Sequence, residues 1–83
     1  MPFYVYVLGS NKKGHKKTYV GWTNNIKKRL YKHNIGKGAK STRGRKWKIV
    51  YTEKYFTKGK AISREYYIKK NRKFRNLIKK NIA

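Results

Sequence analysis

The excess of positive charge constrains this 83-residue chain more than any other feature of its sequence. Lysine and arginine contribute 25 residues and aspartate and glutamate only 2, so the formal net charge is +23. Like charges at this density repel one another and oppose compaction unless counterions or a polyanion screen them. Nucleic acid is the polyanion we expect, because aromatic residues, 16% of the chain, are spread through the basic sequence. An anionic membrane surface is the second candidate, although no segment has the pattern of a basic amphipathic anchor.

The length of the chain and the residue types that it lacks exclude several classes of protein. We expect one domain over residues 1–83, with room for one sheet covered by helices but not for a cavity that encloses a large cofactor. The chain has no cysteine, which excludes disulfides, thiolate zinc sites and thiolate catalysis. Because no run of about 18 apolar residues and no signal peptide occur, we expect a cytoplasmic, nucleoid-associated protein that does not bind membranes.

Hydrophobic patterning predicts three strands. Residues 3–8, 18–22 and 47–53 are rich in aromatic and β-branched side chains, and turn-forming residues bound them. With the helices between them, the predicted order is β-β-α-β-α-α. The fold class is therefore α/β, of the α+β kind, with a three-stranded antiparallel sheet flanked by helices.

Three helices are predicted between and after the strands. Thr23 or Asn24 is suited to cap the first helix and Thr57 to cap the second, since their side-chain oxygens can accept from free amides of the first turn. Asn71 interrupts the helical pattern, so the last, strongly basic helix is expected to begin there.

The first two strands are expected to pair as an antiparallel hairpin, because so short a connection cannot cross over the sheet. If residues 9 and 16 close the loop, Tyr6 lies opposite Tyr19, and Tyr4 lies opposite Gly21. The glycine would then leave open space beside two phenols. The alternative is that the tyrosines are ordinary cross-strand aromatic partners.

One arginine and one histidine share a side of the first helix. Arg29 and His33 are spaced i, i+4, and Arg29 flanks the apolar stripe formed by Ile26 and Leu30. Arg29 could therefore reach towards Gly21 at the end of the second strand. The alternative is a solvated face among neighbouring lysines.

The two acidic residues have different settings. Glu53 comes late in a strand, where a surface ion pair with a neighbouring lysine suffices. Glu65 lies in the middle of a helix beside Ile62 and Tyr66, which we expect on its inner face together with Ala61 and either Ile68 or Lys69. Two interpretations of Glu65 stay open. It forms an ion pair with Lys69 one turn later, or it is a ligand of Mg²⁺, which often takes only one or two carboxylates plus substrate phosphate.

A glycine-rich basic segment over residues 36–46 is predicted to form a mobile loop. Together with the basic last helix it is expected to contact phosphates, which position a duplex without reading its sequence. The alternative is charge that only keeps the chain soluble. The segment residues expected to bind nucleic acid are Lys37, Lys40, Thr42, Arg43, Arg45 and Lys46.

Five short motifs occur in order along the chain, and they are Tyr4-Val5-Tyr6, Tyr19-Val20-Gly21, Arg29, His33 and Arg64-Glu65. Their types and spacing resemble the GIY-YIG nuclease family over about residues 3–70. The chain is similar to the small stand-alone bacterial members and to the catalytic domains of excision-repair and structure-specific endonuclease subunits.

The resemblance implies a metal-dependent DNA endonuclease of repair or recombination that hydrolyses phosphodiester bonds in duplex or branched DNA. Glu65 would hold one Mg²⁺ or Mn²⁺ ion, and Arg29 would stabilise negative charge on the phosphate. Tyr6 would be the general base, and Tyr19 would hydrogen-bond water or phosphate. His33 would assist proton transfer or hold Tyr6.

Two alternatives to an active nuclease stay open. The chain could be a non-catalytic basic nucleic-acid-binding protein, or a degenerate family member kept for DNA binding. Relatives carry a downstream asparagine near the site, for which Asn71 and Asn76 are the candidates here. Because no additional domain selects the target, a protein partner could supply specificity.

Overall fold

The computed structural model describes residues 1–82 and has the predicted order of elements. One antiparallel sheet contains all three strands in the order β2-β1-β3, and these are β1 (Phe3–Lys12), β2 (His15–Thr23) and β3 (Lys48–Tyr55). The helices are α1 (Ile26–Asn34), α2 (Lys58–Lys70) and α3 (Arg72–Lys79), with a 3₁₀ turn over Lys40–Thr42. The predicted fold class is therefore confirmed. Within the described part of the chain, no helix is long and apolar enough to cross a bilayer.

The hairpin of β1 and β2 closes through a tighter turn than predicted. Lys12 pairs with His15, so the turn itself consists of Lys13 and Gly14. Both have positive φ, 53° for the lysine and 85° for the glycine. Positive φ at both central residues gives the tight hairpin turn whose twist matches that of the strands. Both strands consequently run further towards the turn than the sequence pattern indicated.

The predicted register of the hairpin was wrong by two residues. Tyr6, and not Tyr4, lies opposite Gly21, while Leu8, and not Tyr6, lies opposite Tyr19. A shift of two residues leaves every side chain on its original face of the sheet. The two phenols expected to lie together therefore still do, as diagonal neighbours with ring centroids 6.4 Å apart.

Apolar side chains cover both faces of the sheet. The first cluster joins β1 and β2 to α2 and α3, and its buried members are Val5, Val7, Val20, Ala61, Ile68 and Ile78. The second joins β1 to α1 and to the segment before β3 through Tyr6, Leu8 and Trp47, with Tyr19, Leu30 and Ile49 packed against them. Full burial of one large aliphatic side chain contributes about 1.5–3 kcal/mol, so these clusters offset the charge repulsion of the chain.

The inner face of α2 agrees with the prediction in part. Ala61 and Ile68 are fully buried, as predicted, whereas Ile62 and Tyr66 are 41% and 59% exposed. Ile62 follows Ala61 by one residue, about 100° around the helix, and so lies away from the sheet. Glu65 is spaced i+4 from Ala61 and i−3 from Ile68, so it shares their inward side. Its side chain is 17% exposed.

Helix α1 begins with a different cap from the two that were predicted. The Asn25 side chain accepts from the backbone N–H of Lys28 at 3.1 Å. The Thr23 hydroxyl instead accepts from the backbone N–H of Asn25 at 3.1 Å. These local bonds turn the chain sharply from β2 into α1, and thereby bring Arg29 close to the end of β2.

The predicted cap of α2 is confirmed, because Thr57 accepts from the backbone N–H of Lys60 at 3.3 Å. The predicted interruption at Asn71 is also confirmed, since α2 ends before this residue and α3 follows it. Its side chain in addition caps α3, which was not predicted, by accepting from the backbone N–H of Phe74 at 3.0 Å.

Glu53 joins β3 to α2 through a half-buried network. Its carboxylate accepts from Arg64 Nε at 2.8 Å and Nη2 at 3.0 Å, from the Tyr55 hydroxyl at 2.6 Å and from the Tyr51 hydroxyl. The partner is thus an arginine of α2, and not the neighbouring lysine that we predicted. Burial would raise the pKa of Glu53, but hydrogen bonds from Arg64, Tyr51 and Tyr55 outweigh burial and hold the pKa below its ordinary value.

Candidate active site

A cleft of about 390 Å³ lies where β1 and β2 meet the start of α1 and the middle of α2. Four of the five predicted catalytic residues line it, although they come from four separate elements. These are Tyr6, Tyr19, Arg29 and Glu65. The other lining residues are Gly21, Trp22, Thr23 and Asn24. The fold therefore brings together two phenols, a guanidinium and a carboxylate that are far apart in the sequence.

Gly21 makes room for the phenol of Tyr6. A Cβ atom built on Gly21 would lie 2.6 Å from Cζ and 3.1 Å from Cε1 of Tyr6, which is closer than real Cβ atoms approach. The space beside Gly21 is therefore occupied by a tyrosine, and not open as we predicted. Glycine is required here because the Tyr6 ring takes the place of its side chain.

His33 lies directly behind the cleft and not in its lining. The imidazole is fully buried, and its Nε2 atom lies 2.9 Å from the Tyr6 hydroxyl. The Tyr19 ring packs against it with centroids 4.8 Å apart. His33 thus contacts both tyrosines, as we expect of a residue that assists or holds Tyr6.

Burial sets the protonation states of this pair. It raises the pKa of Tyr6 to about 12, although a hydrogen bond from Arg29 acts in the opposite direction. Burial also lowers the pKa of His33, and the charge of Arg29 lowers it further. At neutral pH the pair therefore consists of a protonated phenol and a neutral imidazole at hydrogen-bond distance.

Glu65 is the carboxylate of the cleft. Lys69 Nζ lies 3.6 Å from Glu65 Oε1, so the predicted ion pair along the helix is present. This lysine is half exposed and also lies 6.0 Å from the centroid of the Tyr19 ring. Because the lysine is half exposed and the contact is long, the pair is weak, on the order of 1 kcal/mol or less, which leaves the carboxylate available to a stronger ligand.

The donor set of the cleft is suited to a hard divalent cation. Mg²⁺ keeps several waters and is often bound through one or two carboxylates plus substrate phosphates. Glu65 supplies one carboxylate that faces open space beside polar phenols and a guanidinium. Among residues 1–82 there is no group of three or more histidine or acidic side chains that could form an all-protein metal site. The residues present therefore fit a water-rich ion at Glu65.

The prediction that Thr42 contacts nucleic acid was wrong. Thr42 is fully buried, and its hydroxyl lies 2.9 Å from His33 Nδ1. It also donates to the backbone oxygen of Ala39 at 2.8 Å, while its own carbonyl oxygen accepts from Trp47 Nε1 at 2.8 Å. The segment predicted to be a mobile loop is thus anchored at its centre to the histidine of the candidate site.

The charged residues of this segment lie before and after Thr42 in the sequence. Lys37, Lys40, Arg43 and Lys46 are exposed. Arg45 is half-buried and donates to the backbone oxygen of His15 at 3.0 Å and to Ser10 Oγ at 3.4 Å, so it also ties the segment to the hairpin. The four exposed cations remain candidates for phosphate contact.

Sequence reasoning missed several residues of the site. Trp22 and Asn24 line the cleft, and Lys58 lies 5.3 Å from the centroid of the Trp22 ring. Gly38 packs against the buried histidine, since a Cβ there would lie 2.9 Å from both Cε1 and Cγ of His33. Glycine within the segment was the one available indication of such a close approach, and we had interpreted the glycines there as signs of a mobile loop.

Comparison with known proteins agrees with this geometry. The family model described as the GIY-YIG catalytic domain matches residues 2–79. The chain therefore belongs to the GIY-YIG family, a nuclease superfamily whose substrates are nucleic acids.

Within that family the chain is similar to proteins named UPF0213. A UPF0213 protein of Clostridium perfringens is 49% identical over 83 residues, which cover 95% of this chain and 86% of the relative. A UPF0213 protein of Oceanobacillus iheyensis is 41% identical over 75 residues, 89% of this chain and 84% of the relative. The solution NMR structure of a UPF0213 protein from Bacillus halodurans superimposes with a TM-score of 0.52 at 38% identity, covering 98% of this chain and 86% of that one.

Proposed function

We propose that the protein is a metal-dependent DNA endonuclease that hydrolyses phosphodiester bonds in duplex or branched DNA, with a role in repair or recombination. The observation that carries this proposal is the convergence of Tyr6, Tyr19, Arg29 and Glu65 on one cleft, with His33 behind it. A net charge of +23 is sufficient for a protein that only binds nucleic acid. Such a protein does not need two phenols, a guanidinium and a carboxylate in one cleft.

Binding of DNA is assigned to exposed basic side chains outside the cleft. Each phosphate that a lysine or arginine neutralises releases counterions, so binding strengthens at low salt. The exposed cations of the 36–46 segment and of α3 supply such contacts. They hold the duplex without selecting its sequence, which leaves room for a protein partner that selects the target.

Glu65 is the residue that would hold Mg²⁺ or Mn²⁺. When bound, such an ion neutralises charge on the scissile phosphate and orients it. Arg29 lies in the same cleft, and its guanidinium is placed to stabilise the negative charge that grows on the phosphate oxygens.

The attacking water loses its proton to the Tyr6–His33 pair. Tyr6 takes a proton from water while its own phenolic proton passes to His33 Nε2 over 2.9 Å. The water oxygen bonds to phosphorus, the bond from phosphorus to the leaving sugar oxygen breaks, and that oxygen is protonated from solvent. Transfer through the pair avoids a free phenolate, which the raised pKa of about 12 for Tyr6 disfavours. His33 is ready to accept because burial keeps it neutral.

Nicking of supercoiled plasmid and cleavage of branched DNA, each with Mg²⁺ and with EDTA, test the proposal. We expect wild-type protein to cleave with Mg²⁺ and not with EDTA. Arg29→Ala is expected to lower the cleavage rate about 10²- to 10³-fold, the usual cost of removing one group that stabilises transition-state charge. Lys32→Ala removes an equal charge from an exposed site on α1 and is the matched control.

Two results would contradict the proposal. One is wild-type protein that binds both DNAs tightly and never cleaves them, which is the behaviour of a non-catalytic basic binder. The other is equal loss of cleavage in Arg29→Ala and Lys32→Ala, because the arginine would then act only through its contribution to net charge.

A further inference from the structure

Thr42 has surroundings unlike those of a residue in a solvated basic loop. It is fully buried, although the flanking Ser41 and Arg43 are exposed. Three hydrogen bonds join Thr42 to its neighbours. Its hydroxyl bonds to the His33 ring and to the Ala39 carbonyl oxygen, and its own carbonyl oxygen accepts from the Trp47 indole. The turn over Lys40–Thr42 therefore presents cations to solvent and one hydroxyl to the interior.

The hydrogen-bond partners of this hydroxyl determine which nitrogen of His33 carries the proton. A threonine hydroxyl has one proton to donate, and the Ala39 carbonyl oxygen, at 2.8 Å, can only accept it. The Thr42 oxygen must then accept from His33 Nδ1 at 2.9 Å, so Nδ1 carries the imidazole proton. In a neutral imidazole Nε2 is then left with a lone pair, and the Tyr6 hydroxyl at 2.9 Å donates to it.

Hydrogen bonds at both nitrogens hold the ring in this orientation, because a flipped ring would place carbon atoms beside the Thr42 and Tyr6 hydroxyls. Close neighbours also pack against the ring. Gly38 lies so close to His33 that an added Cβ would overlap Nδ1, Cε1 and Cγ. Tyr19 packs against the ring with centroids 4.8 Å apart. With the ring fixed by these neighbours, the Thr42 hydroxyl decides its tautomer.

We propose that Thr42 is a positioning residue of the candidate active site, because its hydroxyl fixes the His33 tautomer in which Nε2 accepts the proton of Tyr6. This inference rests on the proposed nuclease function for its catalytic consequence. The same hydroxyl joins the turn that carries Lys40 and Arg43 to the Tyr6–His33 pair.

The tautomer is measured directly by NMR of ¹⁵N-labelled protein, through correlations of the imidazole carbon-bound protons with the ring nitrogens. In wild type, Nδ1 of His33 is expected to have the shift of a protonated nitrogen and Nε2 that of an unprotonated one. Thr42→Val keeps the size of the side chain but removes the hydroxyl, and we expect the Nε2-protonated form to become substantially populated. Thr42→Ser restores a hydroxyl and is expected to restore the wild-type pattern. The exposed His15 is an internal reference, and Ser41→Ala removes an exposed hydroxyl from the same turn as the matched control.

Cleavage kinetics give the second readout. Thr42→Val is expected to lower kcat about 10- to 100-fold with little change in the KM for DNA, a loss typical of residues that orient a catalytic group through one hydrogen bond. Thr42→Ser is expected to stay near wild type. If Thr42→Val does not fold, Thr42→Ala carries the same two expectations.

Three outcomes would overturn the inference. The tautomer of His33 could be the same in wild type and in the variants without a hydroxyl. It could change while kcat does not. Thr42→Ser could fail to recover both readouts. If wild-type protein never cleaves DNA, both the proposed function and the catalytic role of Thr42 are contradicted. The NMR measurement then still shows whether Thr42 sets the tautomer of His33.

Discussion

Replacing Glu65 with glutamine is expected to abolish plasmid nicking while leaving DNA binding close to that of the wild type. Glutamine has the same size and keeps one oxygen acceptor, but it has no charge with which to hold a divalent cation. Binding should not weaken, because the substitution removes a negative charge from a surface that attracts phosphate. Nicking rate and DNA affinity, measured on the same preparations, separate the two effects.

Lys69→Gln is the matched control for this substitution. Lys69 is the partner of Glu65 at 3.6 Å, so either variant breaks the same ion pair. If Glu65 serves only to hold Lys69, both variants will have similar nicking rates. We expect Lys69→Gln to retain most of the wild-type rate, and normal nicking by Glu65→Gln would remove Glu65 from the proposed chemistry.

Replacing Glu53 with glutamine is expected to lower the free energy of unfolding by about 1–3 kcal/mol, because one partner of a half-buried, hydrogen-bonded ion pair is left without its counter-charge. The side chains of Glu53 and Arg64 are 15% and 32% exposed. Two tyrosine hydroxyls also donate to the Glu53 carboxylate, so its loss affects β3 and α2 together. Urea unfolding at pH 7 measures the change.

The same network predicts how stability depends on pH. The pKa of Glu53 is held below its ordinary value in the folded state, so the unfolded chain binds the proton more readily. Its stabilising contribution is therefore complete above the unfolded value of about 4.3 and is lost as the pH falls through the lowered folded value. Glu53→Gln should lack this part of the acid transition, whereas Lys54→Gln on the same strand should keep it. An unchanged acid transition in Glu53→Gln would contradict the assignment.

Much of the fold follows from local patterns in the sequence. The wrong predictions concern features that depend on the conformation of one turn residue or on packing between elements. The strands, the cap at Thr57 and the helix interruption at Asn71 were predictable from side-chain type and spacing. The hairpin register was not, because it depends on Lys13 adopting a positive φ that most residues avoid. On α2 the prediction was right for Ala61 and Ile68 but wrong for Ile62 and Tyr66, which lie further around the helix and are exposed.

In the candidate site, too, some residues were predictable from the sequence and others were not. Side chains that face the cleft, such as Arg29 and Glu65, were identified from motif and spacing, and the structure places them in one cleft. Thr42 was assigned to the wrong environment, because a hydroxyl in a basic, glycine-rich segment resembles a solvated loop residue. Its contact with His33 joins residues nine positions apart across a helix end and a turn, and no periodic pattern indicates such a contact.

Titration of ¹⁵N-labelled protein with Mn²⁺ tests most directly whether Glu65 brings a divalent ion into the cleft. Paramagnetic broadening of backbone amide signals is expected to centre on Gly21, Arg29 and Glu65 in the wild type. In Glu65→Gln the same broadening should disappear. Broadening centred on Glu53, or broadening of the cleft that persists in Glu65→Gln, would contradict a metal-dependent active site at this position.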